Sequence, residues 1–411
     1  MLKNITSIKI LKIVFEKLKN RLKLKILKHN KHLMNKLNLT LNDFHEYKVL
    51  KELKQNFRLY IDDTDITQLR NISEKKFGNK IFEYLEKVEF KNLEILDLSN
   101  NRISNIKSLE KLKYAKLESL LLQLNSIIDI NILEKVIYKR LKILNLGNNN
   151  ITDISILERV NFEELNKLSI NSNQITDINV LANVNFKELE YLDLSHNNIS
   201  DIDVFENVKF EKLKKLYIYG NKISDISVLE KVNFKELEIL ELWFNKISDI
   251  SILEKVNFKE LKYLNLSSNK ISDINILEKV NFEKLENLDF SHNKISDINV
   301  FKKINFKELK YLNLDTNKIS DINVFQDAEF DKLENLILSF NRIQDIKVFE
   351  NTNFKKLENL ELNSNSISNI KVFKKIKFEL NKLNLACNKF CGKTSLKIIE
   401  YLKERIKYFD Y

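Results

Sequence analysis

Proline is absent from the 411 residues, and glycine occurs only at Gly78, Gly147, Gly220 and Gly392. So few of the two strongest chain punctuators leaves no Pro/Gly-rich linker between domains and little need for sharp rigid turns. Cysteine is as scarce. Cys387 and Cys391 cannot build a disulfide framework or a four-ligand zinc site, and they read as two free thiols. No apolar run approaches the roughly 18 residues of a membrane span. At the N-terminus Lys9, Lys12, Lys17 and Lys19 break up what a secretory signal would keep apolar. The expected setting is reducing and intracellular, cytoplasmic with the nucleus as the second compartment.

Catalytic equipment is thin as well. The five histidines, His29, His32, His45, His196 and His292, form no HExxH pair, and four scattered glycines cannot build a phosphate loop. His196 and His292 stand too far apart for joint chemistry, and Asp193 near His196 lacks a nucleophile. The chain is therefore expected to be no enzyme, with no catalytic residue, no metal site and no cofactor.

A net excess of positive charge is missing everywhere except at one end. Of the net +11, residues 1–40 carry +10, from ten lysines and Arg21 against Glu16, which leaves +1 for the rest. The basic pI thus belongs to the N-terminus. The body is rich enough in apolar residues, at 43% of the chain, to bury a core.

What the chain does have is a repeat. The pattern LxxLxLxxN ends at Asn101 and recurs every 24 residues through Asn125, Asn149, Asn173, Asn197, Asn221, Asn245, Asn269, Asn293, Asn317, Asn341 and Asn365. A thirteenth copy, LNKLNLACN, ends one residue early at Asn388. Other columns keep the same register: an Asp or Asn four residues after the asparagine (Asp129, Asp225, Asp249), an aromatic three residues before the first leucine (Phe90, Tyr114, Tyr138, Phe162 to Phe378) and an isoleucine two after the asparagine (Ile103, Ile223, Ile247).

Physical chemistry turns these columns into a fold. LxL alternation makes a short strand with its leucines inward. One strand per repeat cannot pair with itself, so neighbouring repeats must align as a parallel sheet at ~4.8 Å per step. An asparagine side chain donates two hydrogen bonds and accepts two, enough to bridge the backbones of adjacent turns, so Asn197, Asn221, Asn245 and Asn269 are expected to form a structural ladder. The Asp or Asn column reads as an N-cap for a convex segment such as INILEKVNF. The phenylalanine and isoleucine columns stack inside. At the ends, FRLYIDDTDITQL (57–69) reads as a degenerate first strand followed by a helix through Ile81 and Leu85. TSLKIIEYLKERIKYF places Ile398, Leu402 and Ile406 on one capping helix face.

LEYLDLSHNNISDIDVFENVKF resembles the leucine-rich repeat, LxxLxLxxNxI, in the short-helix subtype of a protein phosphatase-1 regulatory subunit and the internalins. Those members mostly use 22-residue units, so the 24 here implies a slightly longer convex segment. The resemblance implies an α/β fold: a leucine-rich-repeat solenoid with a curved parallel sheet, short convex helices and an N-terminal helical segment. The organisation it suggests is a basic helical segment over 1–50, an N-terminal cap over 51–92, thirteen repeats over 93–389 and a C-terminal helical cap over 390–411.

In such a coil the residues between the leucines face the concave surface. The position after LxL is mostly Ser, Asn or Asp, yet it holds Tyr219 and Trp243 in adjacent repeats, with Tyr217 and Phe244 in neighbouring columns. Tyr191 and Tyr263 flank this group, and Lys215, Glu241 and His196 supply polar groups at its edge. Aromatic residues ringed by polar ones have the composition of an interaction hot spot. The candidate partner-binding residues are Tyr191, Tyr217, Tyr219, Glu241, Trp243, Phe244 and Tyr263. The bland alternative is that the rings cover one another or are covered by a flanking segment. Leu121 with Leu124, and Ile337 with Phe340, make smaller apolar spots. A basic row, Lys222, Lys246, Lys270, Lys294, Lys318 and Arg342, runs beside the aspartate column, which is expected to neutralise it, so no nucleic-acid partner is expected.

The first fifty residues keep three readings. Ile8, Leu11, Phe15, Leu18 and Leu22 at helical spacing make a small cap or tail, or a basic amphipathic helix lying on a membrane surface. ILKIVFEKLKNRLKLKILKHNKHL also resembles an F-box, without the LP.E opening of that family. That resemblance implies a substrate receptor of a cullin–RING ubiquitin ligase. The leading expectation is a monomeric, non-catalytic scaffold or regulator that binds a protein on its concave face. The F-box-like receptor and a phosphatase regulatory subunit are the alternatives.

Overall fold

The computed structural model describes residues 59–61, 68–71, 78–87, 90 and 92–411. The segment 1–50, with its helical, membrane-surface and F-box-like readings and with His29, His32 and His45, lies outside the described residues.

The chain forms two units, one of residues 1–173 with 184–186 and one of 174–183 with 187–411. In the first unit, β1 (Leu59–Ile61) runs antiparallel to β2 (Gln68–Asn71). Next come β3 (Ile95–Asp97), β4 (Ser119–Leu121), β5 (Ile143–Asn145) and β6 (Lys167–Ser169), each parallel to its neighbour. The 57–69 stretch read from sequence as one degenerate strand thus holds β1 and the start of β2, and it is β2 that continues the parallel ladder, with Leu69 opposite Leu96. A short helix, α1 (Ile81–Leu85), buries Ile81, Phe82 and Leu85.

The second unit stacks β7 (Tyr191–Asp193), β8 (Lys215–Tyr217), β9 (Ile239–Glu241), β10 (Tyr263–Asn265), β11 (Asn287–Asp289), β12 (Tyr311–Asn313), β13 (Asn335–Ile337), β14 (Asn359–Glu361), β15 (Lys382–Asn384) and β16 (Tyr408–Asp410), all parallel. The central leucines pair in line, Leu216 with Leu240 and Leu240 with Leu264. They are fully buried, as are Ile223, Ile247 and Ile271 behind them. Phe210, Phe234, Phe258 and Phe282 form the aromatic column, each nearly inaccessible.

Between strands the chain makes a single 3-10 turn rather than an α-helix, as at Ser227–Glu230 and Ser251–Glu254. Four residues give room for one turn, which buries Val228 and Leu229 in the first case and Leu253 in the second. The aspartate column starts these turns but stands one residue before the N-cap. Asp225 Oδ1 accepts the Ser227 N–H at 2.8 Å and Asp249 Oδ1 the Ser251 N–H at 2.8 Å, while Ile226 and Ile250 occupy the cap. These bonds hold the Asp225 and Asp249 carboxyls below the usual carboxylate range.

The asparagines knit successive turns together. Asn245 Nδ2 donates to Leu242 O (3.0 Å) in its own turn and Ile218 O (3.1 Å) in the preceding one, and its Oδ1 accepts the Ile223 N–H (3.1 Å). Asn221 does the same with Ile218 O, Leu194 O and the Ile199 N–H, and Asn269 with Leu266 O, Leu242 O and the Ile247 N–H. Asn197 donates to Leu194 O and accepts from Ile175 N–H.

The C-terminal helix α2 (Lys393–Arg405) buries Ile398, Ile399 and Leu402, and Ile406 closes it. Beyond it β16 pairs with β15, placing Phe409 opposite Leu383. This strand has no leucine pattern to announce it in the sequence.

Candidate functional site

In β8 and β9 one face is presented to solvent because only the central residue of the three-residue strand, the first leucine of LxL, is drawn inward. In β8 and β9 the burial runs half-buried, buried, half-buried, so Lys215 and Tyr217, then Ile239 and Glu241, flank buried leucines. The chain then turns at the two residues that follow each core isoleucine or leucine. Tyr219 and Trp243 occupy the first of these positions, Gly220 and Phe244 the second.

The structure brings the aromatic candidates into two groups. Tyr219 and Trp243 stack nearly parallel, with ring centroids 4.5 Å apart and planes 12° from parallel. That separation is close to the ~4.8 Å step between strands, so the register itself delivers the stack. His196 stands edge-on to both, 5.1 Å from Tyr219 and 6.0 Å from Trp243. Phe244 sits edge-on to Trp243 at 6.3 Å and is 61% exposed. Tyr191 and Tyr217 form the second group, centroids 5.0 Å apart. Tyr263 lies on the far side of Glu241 from Tyr217 and has no ring partner in either group.

A feature that column reading did not reveal is backbone strain at the turn. The residue before each ladder asparagine adopts a left-handed conformation. His196, Ser268, His292, Thr316 and Ser364 have φ between 50° and 55°, and Gly220 has φ 65°. Phe244 shares it at φ 54° and Phe340 at φ 50°. Bulky residues rarely hold this region, which costs them about 1–2 kcal/mol. Gly220 is the one glycine in the column for a second reason: a Cβ there would come within 2.5 Å of His196 Nδ1. Its absence leaves room for the imidazole against Tyr219 and Trp243.

Glu241 requires a correction. It is not a rim group at the edge of the patch. It lies in the central column, in register with Tyr217 on one side and Asn265 on the other. Its Oε2 is shut off from solvent and has no hydrogen-bond partner. Burial pushes its carboxyl up to about 7, opposed by the hydrogen bond from the Asn265 amide and helped least by the charge of Asp289. Burial likewise raises Tyr217 and Tyr191, and lifts Tyr263 to about 12.

The aspartate column beside the basic row is engaged otherwise than the sequence suggests. Lys222, Lys246, Lys270, Lys294 and Lys318 are exposed, but the neighbouring aspartates are engaged by backbone N–H groups. The ion pairs lie elsewhere, between the lysine of one turn and the glutamate of the turn before: Lys231–Glu206 (2.8 Å), Lys255–Glu230 (3.3 Å) and Lys303–Glu278 (2.7 Å). Exposed pairs of this kind contribute little each.

Among the described residues no group of three or more His, Cys, Asp or Glu side chains is placed to hold a metal ion, and no helix is long and apolar enough to cross a membrane. Cys387 and Cys391 are free and exposed.

The family described as leucine-rich repeats (2 copies) matches residues 139–183, 187–231, 235–279 and 283–327, and the single leucine-rich repeat matches residues 92–112. Among curated proteins no match is found. Among solved structures the chain is similar to an internalin, InlF, of Listeria monocytogenes, at 28% identity over 88% of this chain and 94% of the internalin, with a TM-score of 0.65. A leucine-rich-repeat protein of Leptospira interrogans shares the fold at 23% identity, over 88% of this chain and 98% of that one, with a TM-score of 0.66. So does the ectodomain of the plant membrane receptor kinase GASSHO1/SCHENGEN3 of Arabidopsis thaliana, solved in complex with CASPARIAN STRIP INTEGRITY FACTOR 2. Its identity is 20% and its TM-score 0.57, over 84% of this chain and 47% of that one. On the repeat, the ladder and these matches together, the chain carries leucine-rich repeats over residues 92–112 and 139–327 and has the α/β solenoid fold of leucine-rich-repeat proteins.

Proposed function

We propose that the chain is a non-catalytic binding scaffold, and that a protein partner docks on the solvent face of the sheet over Tyr219, Trp243 and Phe244. The observation that carries this reading is Phe244, a large apolar side chain held 61% exposed on a left-handed backbone. The fold does not require a ring there, since most turns fill the position with Ser, Thr, Asn, His, Gly or Cys, and only Leu124 and Phe340 are comparably large and exposed. Exposed aromatics stacked at the centre of a polar field are the usual anchors of protein interfaces. The plant receptor ectodomain solved with its bound factor supports the reading by analogy of fold.

The backbone under the patch is held independently of the rings. Trp243 O accepts the Gly220 N–H at 2.9 Å and the Asn245 side-chain amide at 3.4 Å. Truncating Trp243 should therefore remove binding surface and leave the turn in place. The test is capture of partners by the immobilised full-length chain, its Trp243→Ala variant and a Lys255→Ala variant altered away from the patch. Partners retained by the chain and by Lys255→Ala but lost from Trp243→Ala support the reading. Identical capture by all three contradicts it.

A further inference from the structure

We propose that the docked partner presents a cationic side chain, a lysine or arginine, which enters between Tyr217 and Tyr263 with Glu241 as its counter-charge. The proposal rests on the docking reading above and specifies the chemistry of what docks.

The central column of the face runs Asp193, Tyr217, Glu241, Asn265, Asp289, each in register with the next across β7 to β11. Three of those five side chains are carboxylates, and Lys215 is the one base in these five strands. Two of the three acids are occupied. Asp193 Oδ1 accepts the Ser195 N–H (3.0 Å) and hydroxyl (2.6 Å). Asp289 accepts the Ser291 N–H (2.8 Å) on one oxygen and the Asn313 amide (2.9 Å) on the other. Glu241 differs: the Asn265 amide bonds its carboxyl, yet its Oε2 has neither solvent nor a donor.

A buried acceptor without a donor is costly, and a buried charge without a partner more so. A positively charged N–H donor would repair both faults, and because Oε2 is sealed in the unbound face, the side chains that cover it must part as the donor enters. The walls suit such a group. Tyr217 and Tyr263 stand half-buried on the strands either side of Glu241, and the Tyr219–Trp243 stack lies beside them. Tyrosine and tryptophan faces attract ammonium and guanidinium ions, more strongly when water is displaced. An apolar partner would leave Oε2 unpaired, and an acidic one would face three carboxylates.

The test titrates the full-length chain with a synthetic peptide of repeating Lys-Thr-Val and with its Glu-Thr-Val counterpart. The emission of Trp243, the single tryptophan in the sequence, reports on the patch. At pH 8 the lysine peptide should bind at least ~10-fold more tightly than the glutamate peptide. Its affinity should fall about tenfold from pH 8 to pH 6 as Glu241 takes up a proton. Lys215, His196, Asp193, Asp289 and the tyrosines also face this column and are unchanged in Glu241→Gln. That variant should lose about tenfold at pH 8 and much of the pH dependence.

Equal binding of the two peptides, an unaltered pH profile in Glu241→Gln, or no response at all overturns the proposal. So does an emission that responds to Glu241→Gln without added peptide while staying blind to it, which would assign the face to the chain's own basic residues 1–40. If Trp243→Ala loses its partners while Glu241→Gln keeps the wild-type charge preference, docking stands and only this inference fails.

Discussion

The turns after β8 and β9 and those after β10, β11 and β12 share one backbone and differ in what they display. In the later turns the last strand residue is Asn265, Asp289 or Asn313, and its side-chain oxygen accepts the N–H two residues on, from Ser267, Ser291 or Asp315, at 3.0, 2.8 and 3.0 Å. Those turns close on themselves, with Ser267 and Ser291 buried. In the earlier pair Tyr217 and Glu241 stand in place of the Asn or Asp, and Tyr219 and Trp243 in place of the serine. The local lock is gone and large rings project. The asparagine ladder is the same in both regions, with Nδ2 to the preceding turn at 3.1 Å for Asn245 and 3.0 Å for Asn293. A repeat fold can thus drop a local hydrogen bond and display aromatic surface because stability resides in the ladder and the core columns.

The largest expected effect sharpens this comparison by striking what the two regions share. Asn245→Ala and Asn293→Ala should each destabilise the protein by about 3 kcal/mol, since each strands several backbone groups at ~1–3 kcal/mol apiece. Thermal melts of the two variants should match. A loss at Asn245 much smaller than at Asn293 would mean the aromatic turns are held by other means.

Gly220→Ala comes next, at about 1–2 kcal/mol, because it forces a Cβ onto φ 65° and against His196. Its melting temperature should fall, and the His196 ring resonances should lose the ring-current shift from Trp243. Intact shifts would separate His196 from the patch.

Glu241→Gln breaks the comparison at the desolvated carboxylate, with a pH signature. The native carboxyl titrates near 7 against an ordinary 4.5, so the folded state holds the proton more tightly than the unfolded one. The contribution is fully present below about pH 4.5 and is lost as pH rises through 7. Allowing for the partial exposure of the group, Glu241→Gln should be more stable than the parent by about 1–2 kcal/mol at pH 8, with the gap closing toward pH 4.5. A gap independent of pH would show that Glu241 is not desolvated. The smallest effect is Phe244→Gly, which relieves the left-handed strain and should raise stability by about 1 kcal/mol. A fall in its melting temperature would mean the exposed ring supports the fold.

Much of this was legible in the sequence, for reasons that can be traced. The spacing from Asn101 to Asn365 fixes a parallel register. A parallel register turns sequence columns into rows on a surface, which is how Tyr219 and Trp243 could be set side by side. The left-handed column was half hidden because glycine or asparagine usually signals that conformation, and only Asn100, Asn148 and Gly220 do so here, among His196, Phe244, Ser268 and Thr316. The closed environment of Glu241 depends on how neighbouring side chains fold over it, which no periodicity encodes. Strand β16 escaped notice because three residues, Tyr408–Asp410, hold no leucine pattern. The 3-10 form of the turns depends on a four-residue length that propensity alone does not resolve.

The central claim is that the rings around Trp243 serve binding and not the fold. Converting the turn to its siblings' pattern with Trp243→Ser and Phe244→Ser, then measuring melting temperature and partner capture on the same full-length preparation, tests it most directly. The account predicts a melting temperature equal to the parent's or higher, with capture weakened by at least ~2 kcal/mol. A melting temperature several degrees lower with capture intact would contradict it.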